Sequence, residues 1–531
     1  MAPSAGSTPN KYFVLFIVSL GTVLSGYVAS SLDIALTNIM NTFGFTMDNV
    51  TWVLLAYSIP YGATLPIMGK LGDQFGRKKI YVAGLVVFTL ATMMVGLSWS
   101  SSSVIAFRIL QGLGAAMYFP NAMTLVADAF PPNERGQAMG MWGAFAAAGA
   151  VLGPTVGGYI VQYVNWRMLF DSIVPISAAG ILLAVLFLRE SPRQEISKRI
   201  DYIGGITLVT GLSTLIVALS RGGKEGWTSA YILGLFAVTV VSLAAFVIAE
   251  RRAAEPLVDL RLFRSATFTV ANIVGFLTFM ALMGGLFLIP FFLRNILGYT
   301  PIHAGLSLFP LIGAMIALAP LGGKLADRGG GRLPTMAGMA ILAVAMYSFR
   351  TMTADTAYPF IAVRLLLMGA GLALTMSPLS NAAMATLPPE KTGVGSGVFN
   401  LFKNVGGSVG IAIFGTVLDT RTTFHAAILA EYVDQSSAAA AKLIGAIQAG
   451  FMQDGMSALQ AHGAALTLLQ GMITKQAAVM AYGDVFQIVA LLAALGVLAA
   501  AFIREAPRKA DPVPAGPDAS DGQPRPALRP T

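Results

Sequence analysis

Fourteen apolar stretches, each close to the ~20 residues that cross a bilayer's hydrocarbon core, run through this chain of 531 residues. They lie near 12–35, 50–69, 80–98, 103–126, 137–161, 168–188, 202–220, 230–249, 268–292, 302–322, 334–350, 357–380, 394–418 and 484–503. Lipid leaves a spanning backbone two ways to satisfy its N–H and C=O groups, the helix and the closed barrel, and stretches this long are helical. The expected fold class is therefore an all-α integral membrane protein. Charge agrees: Asp, Glu, Lys and Arg make up 11% of the residues, against about 25% in soluble domains. The first stretch resembles the apolar region of a signal peptide. It is long, contains Asp33 and leads straight into a second span, so it reads as retained.

The same inventory excludes much chemistry. With no cysteine there is no thiolate metal site, disulfide or cysteine nucleophile, and His303, His425 and His462 lie too far apart for a histidine metal site. Gly69-Lys70 and Gly323-Lys324 are each followed by leucine, so no phosphate-cradling G-x-x-x-x-G-K-[ST] loop occurs. Neither an enzyme, a cofactor nor a metal is expected, and work by such a chain must draw on a gradient. Loops and tails on the side of the termini hold 23 of the 34 Lys and Arg residues, and the opposite side holds eight. Positive charge stays cytoplasmic, so both termini are expected there. The net charge of +9 then reflects topology, and a nucleic-acid partner is not expected.

Phe130-Pro-Pro-Asn-Glu-Arg-Gly136 reappears as Leu387-Pro-Pro-Glu-Lys-Thr-Gly393, a shift of 257 that also carries Gly140 to Gly397, Gly149 to Gly406 and Gly153 to Gly410. Gly69-Lys-Leu-Gly-Asp73 returns as Gly323-Lys-Leu-Ala-Asp327. Eight spans separate the copies, so both point the same way across the membrane. The expected organisation is a six-helix half (1–190), two linker spans (191–264) and a second six-helix half (265–505). A helical insertion at 419–484 and a disordered cytoplasmic tail (506–531) complete it. Parallel repeats of this kind describe transporters whose halves rock around a central site.

The motifs sit at telling places. Gly69-Lys-Leu-Gly-Asp-Gln-Phe-Gly-Arg-Lys-Lys79 falls in the short loop between spans two and three, where Gly76 allows a tight turn. Asp73 can accept from a helix N-terminus or an arginine, and Arg77 and Lys78 can meet lipid phosphates. Arg108 lies roughly 8 Å inside span four. A charge there costs about 2.5–3.5 kcal/mol, so it is paired, faces water or snorkels to the headgroups. Gly149, Gly153 and Gly157 recur every fourth residue and bare one face of span five, with Pro154 and Gly158 beside it. Asp33 is either an interfacial, solvated acid or, if span one continues toward Asn38, a cavity acid at the depth of Arg108. Asn400, Lys403 and Asn404 share one helix face near mid-bilayer, either paired structurally or lining a cavity. Tyr57 and Tyr61 either face that cavity or pack.

These strings resemble signatures of the major facilitator superfamily. The 69–79 string resembles G-x-L-a-D-r-x-G-r-[RK], which implies a gate latch through Asp73 and Arg77, with Asp327 and Arg328 as its weaker second copy. Arg108, Gln111, Gly112 and Gly114 match R-x-x-q-G-x-g, implying proton handling. The string 149–158 matches the antiporter signature g-x-x-x-G-P-x-x-G-G. Leu32, Asp33 and Asn38 resemble L-D-x-t-i-v-N of the fourteen-span drug:proton antiporters, implying that Asp33 exchanges the proton and Arg108 tunes it. Trp166-Arg167 begins a further element in which Met168 and Ile173 replace the second Trp and the Asn. Gln476-Ala-Ala-Val-Met-Ala-Tyr-Gly-Asp-Val-Phe486 resembles the EmrB type, whose members work with a periplasmic adaptor and an outer-membrane channel. The resemblance thus implies a major facilitator fold in a bacterial inner membrane, exporting lipophilic small molecules in exchange for protons. Intramembrane Arg108, Lys403 and Arg364 against the lone acid Asp33 favour anionic or neutral cargo. Rival readings are a dedicated metabolite or fatty-acid exporter and a non-transporting sensor or scaffold.

Overall fold

The computed structural model describes residues 10–45, 50–131, 134–190, 201–253, 256–388, 391–432 and 438–504. Among them the chain forms eighteen α-helices and no strand. A first set comprises α1 (Lys11–Phe43), α2 (Thr51–Phe75), α3 (Arg77–Gly96), α4 (Ser101–Ala129), α5 (Arg135–Leu152), α6 (Gly158–Tyr163), α7 (Met168–Asp171) and α8 (Ile173–Phe187). A pair follows, α9 (Tyr202–Glu225) and α10 (Ala230–Arg252). The last set is α11 (Ala266–Asn295), α12 (Pro301–Leu306), α13 (Phe309–Gly329), α14 (Arg332–Phe349), α15 (Tyr358–Ala385), α16 (Thr392–Tyr432), α17 (Ala438–Gln453) and α18 (Ala458–Ala500).

Thirteen helical segments are long and apolar enough to cross a membrane. Helix α2 is as long but less apolar, diluted by Tyr57, Pro60, Tyr61, Pro66, Lys70 and Asp73. The repeat is legible in the packing. Helix α1 lies on α5, α2 on α4 and α3 on α4; α11 lies on α16, α13 on α15 and α14 on α15. The two sets then cross, α5 packing on α13 and α15, and α16 on α2 and α4. Both described ends share one face. Lys11 pairs with Glu134, and Arg504 exchanges hydrogen bonds with Thr267 at the start of α11.

Several boundaries differ from expectation. Span one runs on to Phe43 and closes on Gly44 in the left-handed region. The loop expected between spans two and three is a single residue: α2 carries Asp73 on its last turn, Gly76 turns the chain at φ 112°, and Arg77 opens α3. Span five passes through a π-helical segment, Gly153–Gly157, before α6. Spans thirteen and fourteen do not stop at 418 and begin at 484. The two flanks of the helical insertion expected at 419–484 are continuations of α16 to Tyr432 and of α18 from Ala458, because alanine- and glutamine-rich sequence with no proline gives the helix no reason to end. Helix α17 packs back on α18. The boundary at 191–200 and the tail at 506–531 lie outside the described residues.

Candidate functional site

The 69–79 string and its second copy at 323–328 meet the opposite set of helices at the face that bears both described ends. Asp73 Oδ1 accepts from the Gly393 amide at 3.2 Å and Oδ2 from the Val394 amide at 3.1 Å, so an N-half carboxylate caps the N-terminus of α16. Arg77 Nε and Nη2 donate back to Asp73 at 3.1 and 2.9 Å, Nη1 reaches Asp128 at 2.6 Å, and Nη2 meets Thr392 across the interface. A mirror tie uses the second copy. Asp327 accepts from the Gly136 and Gln137 amides at 3.0 and 3.3 Å, capping α5, and from the Asn381 amide at 3.3 Å. Arg328 stands beside it, exposed on the last turn of α13. Repeat-related residues thus exchange partners: Asp73 holds Gly393 while Asp327 holds Gly136.

Backbone approach explains the glycines. A Cβ at Gly69 would fall on the Gly393 carbonyl, and one at Gly397 would come 2.7 Å from the Leu65 carbonyl. At Gly140 it would meet the Ala319 carbonyl, and at Gly76 the Glu190 carboxylate at 2.7 Å. Glu190 also takes the Lys78 amide at 3.0 Å, and Lys78 Nζ donates to the Val185 carbonyl at 2.8 Å.

Inside the first set, Arg108 is 1% exposed. Its Nε donates to the Val53 carbonyl at 3.2 Å and its Nη1 to Gln111 Oε1 at 2.6 Å, while Gln111 Nε2 reaches Thr92 at 2.7 Å. Its guanidinium stands 4.6 Å from the Tyr57 ring. Snorkelling is excluded for this buried, internally bonded arginine. Tyr57 bonds Ser25 at 2.9 Å and stacks on Tyr61 at 5.7 Å, and Tyr61 meets Phe119 edge-on. Asn38 is exposed. The side chains of Asp33 and Pro154 lie outside the described residues.

The glycine face of α5 and of the π-helical segment after it meets α1. A Cβ at Gly149 would strike the Val23 carbonyl, at Gly153 the Ser30 hydroxyl, and at Gly157 would come 2.7 Å from Ser31 Cβ. Gly158 is buried. Gly406 and Gly410 repeat this on Phe276 and Met280 of α11. In the second set Asn400 takes Lys403 Nζ on its Oδ1 at 3.0 Å, and Nζ lies 4.6 Å from the Phe279 ring. Lys403 is 7% exposed, with no carboxylate within 4.0 Å among the described residues. Asn404 Nδ2, buried with no hydrogen-bond partner among the described residues, would stand 3.0 Å from a Cβ at Gly62 of α2. Sequence reasoning missed Asp128, Thr392 and Asn381. It also missed that Arg364, 256 residues after Arg108, repeats it, turned instead onto the Ser348 and Phe360 carbonyls.

A model of the Major Facilitator Superfamily matches residues 18–411. The chain belongs to the major facilitator superfamily. It is 31% identical over 442 residues to the multidrug transporter protein MdtP of Bacillus subtilis, covering 82% of this chain and 80% of that one. It is 31% identical over 417 residues to the riboflavin transporter RibZ of Clostridioides difficile, covering 78% and 90%. The crystal structure of the human organic anion transporter MFSD10 (TETRAN) superposes with a TM-score of 0.60 at 17% identity, over 91% of this chain and 100% of that one. This superfamily protein is therefore a multi-pass membrane transporter rather than an enzyme, and its cargo is small molecules.

Proposed function

We propose that this transporter is a fourteen-span, proton-coupled antiporter that exports lipophilic or amphipathic compounds by alternating access. Its termini are cytoplasmic, it sits in a bacterial inner membrane, and 1–190 and 265–505 are its rocking halves, with 191–264 as the linker. The observation that carries this reading is the crossed pair of ties. Asp73–Gly393 and Asp327–Gly136 join opposite halves at one face, so parting them opens that face as a unit. In this reading the two ties hold the face toward the cytoplasm shut.

Coupling runs through α1. Asp33 takes its proton from the far side, two residues beyond Ser31, which the Gly157 face touches. Its change of charge acts on α5 through that contact and on α2 and α4 through the Arg108–Gln111–Thr92 chain. Tyr57, Tyr61, Asn400, Lys403 and Asn404 line the cargo cavity. One proton falling through 100 mV supplies about 2.3 kcal/mol, enough for a roughly 40-fold cargo gradient at about 1.4 kcal/mol per decade. The outer continuations of α16 and α18 receive a periplasmic adaptor joined to an outer-membrane channel. RibZ, a riboflavin transporter by name, supports a second reading, a dedicated metabolite exporter with the same cycle.

Efflux of a fluorescent lipophilic dye from proteoliposomes under an imposed pH gradient tests the proposal. Gradient-driven efflux in wild type that is abolished in Asp33→Asn is expected. Equal, pH-independent rates in both refute the coupling. Dye ignored while riboflavin-like compounds move selects the second reading.

A further inference from the structure

The two seams between the halves are built from equivalent helices yet are dressed differently. Seam one joins α2 to α16, and seam two joins α5 to α13. Helix α9 lies on both α2 and α16. The α9–α10 pair and the segment after it form a common apolar core with both halves, in which Leu212 and Val258 pack with Ala63 of α2 and Val398 of α16. Polar ties run along the closed face. Lys70 Nζ of α2 donates to the Pro256 carbonyl at 2.7 Å, while Lys391, just before α16, pairs with Asp259. Glu250, 4% exposed, folds the segment by accepting the Leu257 and Val258 amides, each at 3.1 Å. A strap of a few residues therefore holds the N half at one end and the C half at the other.

Among the described residues, seam two has no such cover. Beyond the Asp327 caps on Gly136 and Gln137 it is a small-residue contact of Ala144, Ala319 and Ala373, and Phe145 and Leu321 beside it are exposed. We propose that the linker pair is a clasp across seam one. The cytoplasmic face then opens asymmetrically, at seam two, where cargo dissolved in the inner leaflet passes between α5 and α13. The inference rests on the rocking cycle proposed above and adds the side on which it opens.

The chain has no native cysteine, so paired spin labels can be placed cleanly in the full protein in liposomes. Labels at Phe75 and Thr386 span seam one; labels at Met141 and Leu325 span seam two. On adding cargo without a gradient, the long-distance population of wild type is expected to grow at least threefold more at seam two than at seam one. Asp259→Lys, which sets two like charges against each other, brings seam one up to match, and Asp259→Lys with Lys391→Asp restores the asymmetry. Should the reversal fail to fold, Asp259→Asn carries the same test with a smaller change. Equal lengthening of both pairs in wild type overturns the clasp, as does an unchanged seam one in a folded Asp259 variant. If neither pair lengthens under any condition, the rocking cycle itself falls, and the clasp with it.

Discussion

Replacing Asp73 by asparagine isolates one cross-half tie. The amide keeps an acceptor for Gly393 but turns an NH2 toward the Val394 N–H or loses that bond, and it removes one of the carboxylates that Arg77 binds, leaving Asp128. Asp73 and Arg77 are only 3% and 10% exposed in their side chains, so solvent screens the loss little. A hydrogen bond to a charged group contributes about 1.5–3 kcal/mol net. The tie bridges halves that separate when the face opens, so the whole loss falls on the closed state. The open-to-closed ratio should rise about ten- to a hundredfold at about 1.4 kcal/mol per decade. Val398, 2% exposed at seam one, supplies the assay. As a lone cysteine it should react with a membrane-impermeant maleimide from the cytoplasmic side at a rate proportional to the open fraction. A rate within twofold of the parent would show that the Asp73 caps do not hold the face shut.

Three further outcomes follow from the geometry. Gly153→Ala forces a methyl onto the Ser30 hydroxyl and to 2.7 Å from the Ser31 amide nitrogen, costing about 1–3 kcal/mol of packing strain. Its melting temperature should fall, while Gly143→Ala, with nothing within 4 Å, should melt like the parent. Lys403→Met keeps the side-chain volume between Phe279 and Phe399. It should leave the fold intact and cut transport of anionic cargo at least tenfold relative to neutral cargo, read by competition. Partial burial pushes the Asp259 carboxyl up, but the Lys391 ammonium and the Arg261 amide outweigh it and hold it below the ordinary carboxylate range. A group so depressed stabilises the folded state above its unfolded pKa and loses that contribution as pH falls through its folded value. The Asp259–Lys391 tie should therefore persist through mildly acid pH and fail only below the carboxylate range, followed by the seam-one label distance.

The features readable beforehand were those that local spacing dictates. Glycines every fourth residue announced a close helix contact, and α1 fills it. The 257-residue repeat announced two similar sets, and Gly406 and Gly410 duplicate the seating of Gly149 and Gly153. Arg108 and Lys403 were legible because a charge inside lipid must find partners. What spacing could not convey was which half each copy would hold, since Asp73 capping Gly393 depends on docking across the whole chain. The clasp was equally hidden: Lys70 binds a backbone carbonyl 186 residues away and Glu250 binds backbone amides, and neither partner leaves a mark in side-chain pattern. Helix ends misled for a different reason. Hydropathy marks where lipid stops, whereas α16 and α18 continue because their solvated sequences still favour the helix.

Those continuations change what motion looks like outside the bilayer. Helices of 41 and 43 residues span about 60 Å, twice a hydrocarbon core of about 30 Å. Their projecting parts are bolted together at the base, where Asp484 of α18 holds His425 of α16 at 2.9 Å and Arg421 at 3.4 Å. A stiff arm anchored in one half and reaching about 30 Å past the pivot converts a tilt of about 10° into a tip excursion of about 5 Å. In the rocking cycle proposed above, the far end of the molecule is thus an indicator needle, and anything gripping it receives each turnover as a mechanical stroke.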